Sequence, residues 1–207
     1  MQFHLICDTM EQRVQDMMRL MSSKIRSIAD TLSDDEISRF LDEMLRANRI
    51  YVMGAGRSGL VAKAFAMRLM HLGISAFVVG ETITPAMKPG DLMIVFSGSG
   101  KTKTVADIAE TTKEIGGRIC LITSNADSRI GKISDVIVII EHQRDDVADD
   151  AAEFEIRQMM GEHKSFAPLG TIFETAAMVF ADAIISRLME IKEIDERELR
   201  TYHTNIE

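Results

Sequence analysis

Apolar positions along this chain change their period near residue 49. Before it they recur every three to four residues, so that Val14, Met17, Met18, Met21, Ile25 and Ile28 share one face of a helix predicted from Met10 to Ile28. Ser33-Asp34-Asp35-Glu36 spells a capping box, and behind it Ile37, Phe40, Leu41, Met44 and Leu45 form the apolar face of a second helix. From Arg49 onward, short unbroken apolar runs alternate with longer amphipathic stretches. The runs are 50–53, 76–79, 92–96, 118–123 and 136–140; helices are predicted at 58–72 and 102–115, with a short one near Arg129. Strands that are apolar on both faces belong to a parallel sheet with helices packed on each side. The expected fold is α/β, a doubly wound five-stranded parallel sheet in the flavodoxin-like order 2-1-3-4-5. Residues 1–48 form an N-terminal helical packing or oligomerisation segment, and 49–207 the main domain. An acidic stretch from Glu141 through Glu155 reads as solvated surface. Beyond it, Pro168-Leu169-Gly170-Thr171-Ile172-Phe173-Glu174 opens an apolar helix running to Met189, and a polar tail follows.

In that strand order the topological switch point falls between the first and third strands, and ligands settle outside their carboxyl ends. Both strands end in glycine-rich turns, Gly54-Ala55-Gly56-Arg57-Ser58-Gly59 and Ser97-Gly98-Ser99-Gly100-Lys101-Thr102. Glycine lets the backbone approach an anion closely, and the helix that follows offers unpaired N–H groups and a favourable dipole. The second loop is the better phosphate cradle: the hydroxyls of Ser97, Ser99 and Thr102 join the backbone of Gly98 and Gly100, with a cation at Lys101. Helix capping is the competing use of those hydroxyls. Arg57 and Ser58 border the same crevice, with plain surface exposure as the other view of Arg57. Gly54-x-Gly56-x-x-Gly59 also spells a dinucleotide fingerprint, with Glu81 placed for a ribose hydroxyl, but that reading leaves the second loop idle. Gly100-Lys101-Thr102 ends like a Walker A loop, yet Val95 stands where the leading glycine belongs.

Composition narrows the ligand. A net charge of -8 argues against nucleic acid or an anionic membrane as partner, since each wants a basic face, whereas a phosphorylated small molecule needs only local positive charge. No apolar stretch approaches 18 residues and the N-terminus lacks a basic region followed by an apolar one, so the expected location is cytoplasmic. Cys7 and Cys120 are too few and too far apart for a metal motif or a disulfide framework, and no metal is expected. The 15 methionines sit mostly at helical spacings, as at Met17, Met18 and Met21 and at Met67 and Met70; they read as core filling, with a subunit interface as the other use.

Five ordered motifs carry a resemblance: residues 54–59, Phe65-Ala66-Met67-Arg68-Leu69-Met70-His71-Leu72-Gly73, Val79-Gly80-Glu81-Thr82-Ile83-Thr84-Pro85, Ser97-Gly98-Ser99-Gly100 and Pro168 to Glu174. From about Ile50 onward the chain resembles the sugar isomerase (SIS) domain family, and within it the 6-phospho-3-hexuloisomerases. The resemblance implies a phosphorylated ketohexose substrate, interconversion of 3-hexulose 6-phosphate and fructose 6-phosphate in the formaldehyde-fixing ribulose monophosphate pathway, a homotetramer with shared active sites, and no cofactor. Moving a carbonyl between C3 and C2 takes one base working through a cis-enediol, with donors holding the oxyanion. The family's motif puts Glu174 forward as that base, and Glu81 is the rival carboxylate. His71 lies about 20 Å from the phosphate by helix rise. Like His203 in the tail, it suits a contribution across a subunit interface, to ring opening or proton transfer, with a structural or surface role competing for each. Two departures stand out: Lys101 occupies a position where the family often has Glu, and the 141–164 segment is longer than the family's usual connection. The alternative function is a non-catalytic SIS module that binds a sugar phosphate as regulatory ligand, although residues 1–48 show no helix-turn-helix with a basic recognition helix.

Overall fold

The computed structural model describes residues 2–140 and 171–203. Helix α1 spans Gln2–Thr31 and α2 spans Asp34–Arg46. The Ser33 hydroxyl accepts from the Glu36 amide at 3.3 Å as the capping box requires, while the Glu36 carboxylate accepts from the Ile139 amide at 3.1 Å and ties α2 to the sheet. Five strands, β1 (Ile50–Gly54), β2 (Ala76–Val78), β3 (Leu92–Phe96), β4 (Arg118–Thr123) and β5 (Val136–Ile139), pair in parallel in the order β2-β1-β3-β4-β5. This is the expected topology. Helices α3 (Gly56–His71) and α4 (Lys103–Ile115) are the crossovers, and α5 (Thr171–Lys192) and α6 (Glu196–Thr201) complete the described chain.

Because successive strand residues face opposite sides, each apolar strand feeds two cores. Ile50, Val52, Ile94, Phe96 and Ile122 pack with Phe40 of α2, Phe65 of α3 and Phe173 and Phe180 of α5. Phe65 meets Phe96 edge-on at 5.8 Å, a favoured aromatic geometry. Tyr51, Met53, Met93, Val95 and Leu121 face the other way, onto Val105, Ala106 and Ala109 of α4 and onto Ile130. The small side chains of Ala106 and Ala109 let α4 sit close to the sheet. Cys120 is wholly buried in the first, and burial pushes its thiol far above the usual range, which makes it an inert packing residue.

Four expectations need correction. The polar tail contains a helix, because Asp195 caps α6 by accepting from the Arg197 and Glu198 amides at 2.8 and 2.9 Å. The helix near Arg129 is only a 3₁₀ turn at Gly131–Ile133. The α3 helix starts at Gly56, before the predicted Ser58. Met18, Met67 and Met70 do not fill the core: they are exposed, as are Val14 and Leu60, whereas Met44, Met53 and Met93 are buried. Among the described side chains of α1 full burial is reached only at Ile28, with Ile25 packed beside it near the C-terminal end, and Met18 lies outside that packed stretch. The acidic stretch 141–164 and Pro168 to Gly170 lie outside the described residues. Among the described residues no helix is long and apolar enough to cross a membrane.

Candidate active site

The two glycine loops do meet at the β1/β3 switch point, since β1 and β3 are paired through to Gly54 and Phe96. In the first, the glycines serve backbone packing. A Cβ on Gly54 would lie 2.7 Å from the Ser58 carbonyl, and one on Gly59 would lie 2.8 Å from the Gly54 oxygen, so the first turn of α3 rests directly on the strand end. Gly56 has open space around it and is required by its φ of +55°. The dinucleotide spelling is thus accounted for by close approach of strand and helix.

The second loop is a compact turn. The Gly100 amide donates to both the carbonyl and the hydroxyl oxygen of Ser97, at 3.1 and 3.2 Å, and the Lys101 amide donates to Ser99 Oγ at 3.2 Å. Acting as acceptors there, the Ser97 and Ser99 hydroxyls keep their own O–H to donate outward. Thr102 stands at the N-cap of α4 yet makes no side-chain cap bond, so its hydroxyl is not spent on capping. The side chain of Lys101 is exposed. Next to this turn lie the first α4 amides, which have no partner within their own helix.

Sequence reasoning missed the support behind the turn. Thr123 Oγ and the Ser124 amide both donate to the Gly98 carbonyl, at 3.1 and 3.0 Å, and the Ile130 amide donates to that of Gly100 at 3.2 Å. Ser128 is buried against Gly100 and accepts from the Gly131 amide at 3.1 Å. The available signal was the polar run Ser124-Asn125-Ala126-Asp127-Ser128, which ends the strand predicted to neighbour β3.

Glu174 comes to both loops. A Cβ on Gly98 would lie 3.1 Å from the ring of Phe173, so the start of α5 abuts the second loop. The next residue, Glu174, places Oε2 3.5 Å from Arg57 Nε of the first loop. That separation makes an ion pair but no hydrogen bond, and Oε2 is buried with no hydrogen-bond partner among the described residues. Burial lifts the Glu174 carboxyl above the ordinary glutamate range; Arg57, the Glu174 amide and the Ser58 hydroxyl pull back without cancelling it. Glu81, in contrast, is exposed and held by Lys63 at 2.6 Å. Arg57 is half exposed and Ser58 is buried.

The two histidines are brought together elsewhere. His71, 5% exposed, stacks on His203 with ring centroids 5.2 Å apart, at the end of α3 opposite Arg57 and Ser58. Burial, then His203 and Arg68, hold His71 below the ordinary histidine range. Within one chain this pair does not meet Glu174. Among the described residues no three His, Cys, Asp or Glu side chains are grouped as a metal site would need.

A doubly wound parallel sheet with a serine-glycine turn and a half-buried carboxylate at its switch point defines a ligand-binding α/β class of fold. Residues 43–152 match the SIS domain family, and the chain belongs to it, among its sugar-phosphate isomerases. It is 38% identical to the 3-hexulose-6-phosphate isomerase of Bacillus subtilis, over 89% of this chain and 94% of that one. An uncharacterised protein of Aeropyrum pernix is 45% identical over 83% and 82% of the two chains. A crystal structure from Methanococcus jannaschii, for which a 3-hexulose-6-phosphate isomerase function was inferred, superposes with a TM-score of 0.77 at 29% identity, covering 93% of this chain and 99% of that one.

Proposed function

We propose that this chain interconverts 3-hexulose 6-phosphate and fructose 6-phosphate, with Glu174 as the base. The observation that carries the reading is Glu174 itself: a half-buried carboxylate whose buried Oε2 has no hydrogen-bond partner among the described residues and whose pKa burial raises, set between the two glycine loops. The names of the relatives support the substrate pair. Ser97, Ser99 and Thr102, with the amides of the loop and of α4, hold the phosphate, and Lys101 adds charge at the rim. Glu174 removes the C2 proton of the 3-ketose; the bonding electrons form the C2=C3 enediol, and a hydroxyl proton passes from O2 to O3. Return of the proton at C3 leaves the carbonyl at C2. Arg57, beside Oε2, and Ser58 border the reacting carbons, and the guanidinium polarises the oxygen on which charge develops. Electrons move only within the substrate, so the reaction consumes no redox partner.

With O6 phosphorylated, the 3-ketose cannot close a five-membered ring through that oxygen, so only the fructose side needs ring opening. His71 and His203 enter that step from a neighbouring subunit of a homotetramer, since within one chain they lie the length of α3 from the crevice. On this reading the enzyme works in the cytoplasm and in the ribulose monophosphate pathway. The test is solvent exchange: fructose 6-phosphate in deuterated water should take deuterium at carbon with the wild-type enzyme. Glu174→Gln should cut exchange by about 10²- to 10⁴-fold while phosphate binding survives, and Glu81→Gln should spare it. Exchange retained in Glu174→Gln removes the base assignment, and no exchange by the wild type removes the substrate.

A further inference from the structure

Strand β4 runs through Ile119, Cys120, Leu121 and Ile122 and then ends on a polar residue, Thr123. Thr123 is wholly buried, at a place where valine would have the same shape and bury no hydroxyl. The hydroxyl is fully used. Its oxygen accepts from the Asn125 amide at 3.1 Å, and its single proton goes to the Gly98 carbonyl at 3.1 Å, nearer than the Asn125 carbonyl at 3.4 Å. The Ser124 amide donates to the same Gly98 carbonyl at 3.0 Å. Two donors from the end of β4 therefore fix the direction of that carbonyl, while the ring of Phe173 covers the other side of Gly98.

Residues 97–100 form a β-turn closed by the Gly100 amide on the Ser97 carbonyl at 3.1 Å, and neither Gly98 nor Ser99 has a positive φ, as in a type I turn. The Gly98–Ser99 peptide is the central one of that turn, the one whose reversal separates type I from type II. In a planar trans peptide the C=O and N–H point in opposite directions. With the Gly98 carbonyl held toward β4, the Ser99 N–H is turned away from β4. The other neighbour of β3 is β1, which ends in the Gly54 loop. The Ser99 amide has no acceptor among the described residues. We propose that Thr123 is a positioning residue for the phosphate: through the Gly98 carbonyl it aims the Ser99 amide at a phosphate oxygen. This rests on the serine-glycine turn being the phosphate cradle of the proposed isomerase. A β-branched side chain is stiff at χ1, so the hydroxyl is directed before any ligand arrives and the amide is preorganised. Thr123 has no exposed surface and acts only through Gly98.

Thr123→Val keeps the shape and leaves the Ser124 amide alone on the Gly98 carbonyl. The Kd of inorganic phosphate and the KM for fructose 6-phosphate should each rise about five- to tenfold. Because the base stands on α5, kcat should stay within about twofold, the pattern of lost uniform binding. Thr123→Ser, which keeps the hydroxyl, should bring both values back to within about twofold of wild type. In full-length wild-type protein labelled with ¹⁵N-serine, inorganic phosphate should move the Ser99 amide proton downfield. That titration decides the matter even where Thr123→Val does not fold. Phosphate affinity unchanged in Thr123→Val, failure of Thr123→Ser to restore it, a kcat that falls as far as KM rises, or a Ser99 amide indifferent to phosphate each overturns the proposal. Inorganic phosphate has no C–H to exchange, so its binding tests Thr123 whether or not the protein turns over fructose 6-phosphate. A wild type that binds phosphate through Ser99 but exchanges no deuterium removes the isomerase reading alone.

Discussion

Gly100→Ala tests whether the serine-glycine turn is held as tightly as its contacts imply. Gly100 adopts φ +62°, a left-handed conformation that costs an L-residue roughly 1 kcal/mol. The added Cβ would also lie 2.6 Å from the Cβ of Ser128 and against its hydroxyl. Ser128 is 2% exposed, and its Oγ accepts from the Gly131 amide, so it cannot swing aside without leaving a buried N–H unpaired. Overpacking of this kind costs about 1–3 kcal/mol, for a total near 2–4 kcal/mol. The assay is urea unfolding at fixed protein concentration, combined in a double-mutant cycle with Ser128→Gly. Ser128→Gly alone should cost about 1–3 kcal/mol through the lost hydrogen bond. The double variant should cost less than the sum of the two by the steric part, about 1–3 kcal/mol. Additivity within about 0.5 kcal/mol, or a cost below about 1 kcal/mol for Gly100→Ala, refutes the reasoning.

Two further predictions concern the base and the surface. Glu174 must be ionised to accept a proton and burial raises its pKa, so kcat/KM should fall on the acid side at a pH above the ordinary glutamate range. Arg57→Gln, which removes the nearest cation opposing that rise, should move this limb to higher pH relative to wild type on the same substrate; a limb that stays or moves down contradicts the pairing. Leu60, Met67 and Met70 make an exposed apolar stripe on α3. Met67→Glu should shift sedimentation toward smaller species, and an unchanged profile would place the subunit interface elsewhere.

The sheet was legible because its strands are apolar on both faces, a pattern that only a covered parallel sheet satisfies, and the strand order then put Gly54 and Ser97 side by side. The glycines were legible as turns but not as individuals: Gly54 and Gly59 are required by backbone contact four and five residues away, and Gly98 by an aromatic ring from the far end of the chain. Contacts of that range leave no local mark. Ser128 escaped notice for the same reason, lying inside a polar run that reads as an ordinary loop. The histidines show the converse: their types and positions suggested chemistry, but only the folded chain reveals that they stack on each other. Exposure of Met18 and Met67 was hidden too, since an apolar helix face looks the same in sequence whether a core or another subunit covers it.

The contact between Phe173 and Gly98 has a consequence for substrate choice. Phe173 directly precedes Glu174 and leans on the turn that holds the phosphate in the proposed reaction, so one ring thickness sets the spacing between anchor and base. The enzyme would then measure its substrate like a caliper, by the number of carbons between phosphate and acidic C–H, with less regard to the pattern of hydroxyls between them. A side chain larger than hydrogen at position 98 would open the jaws and change which carbon is read.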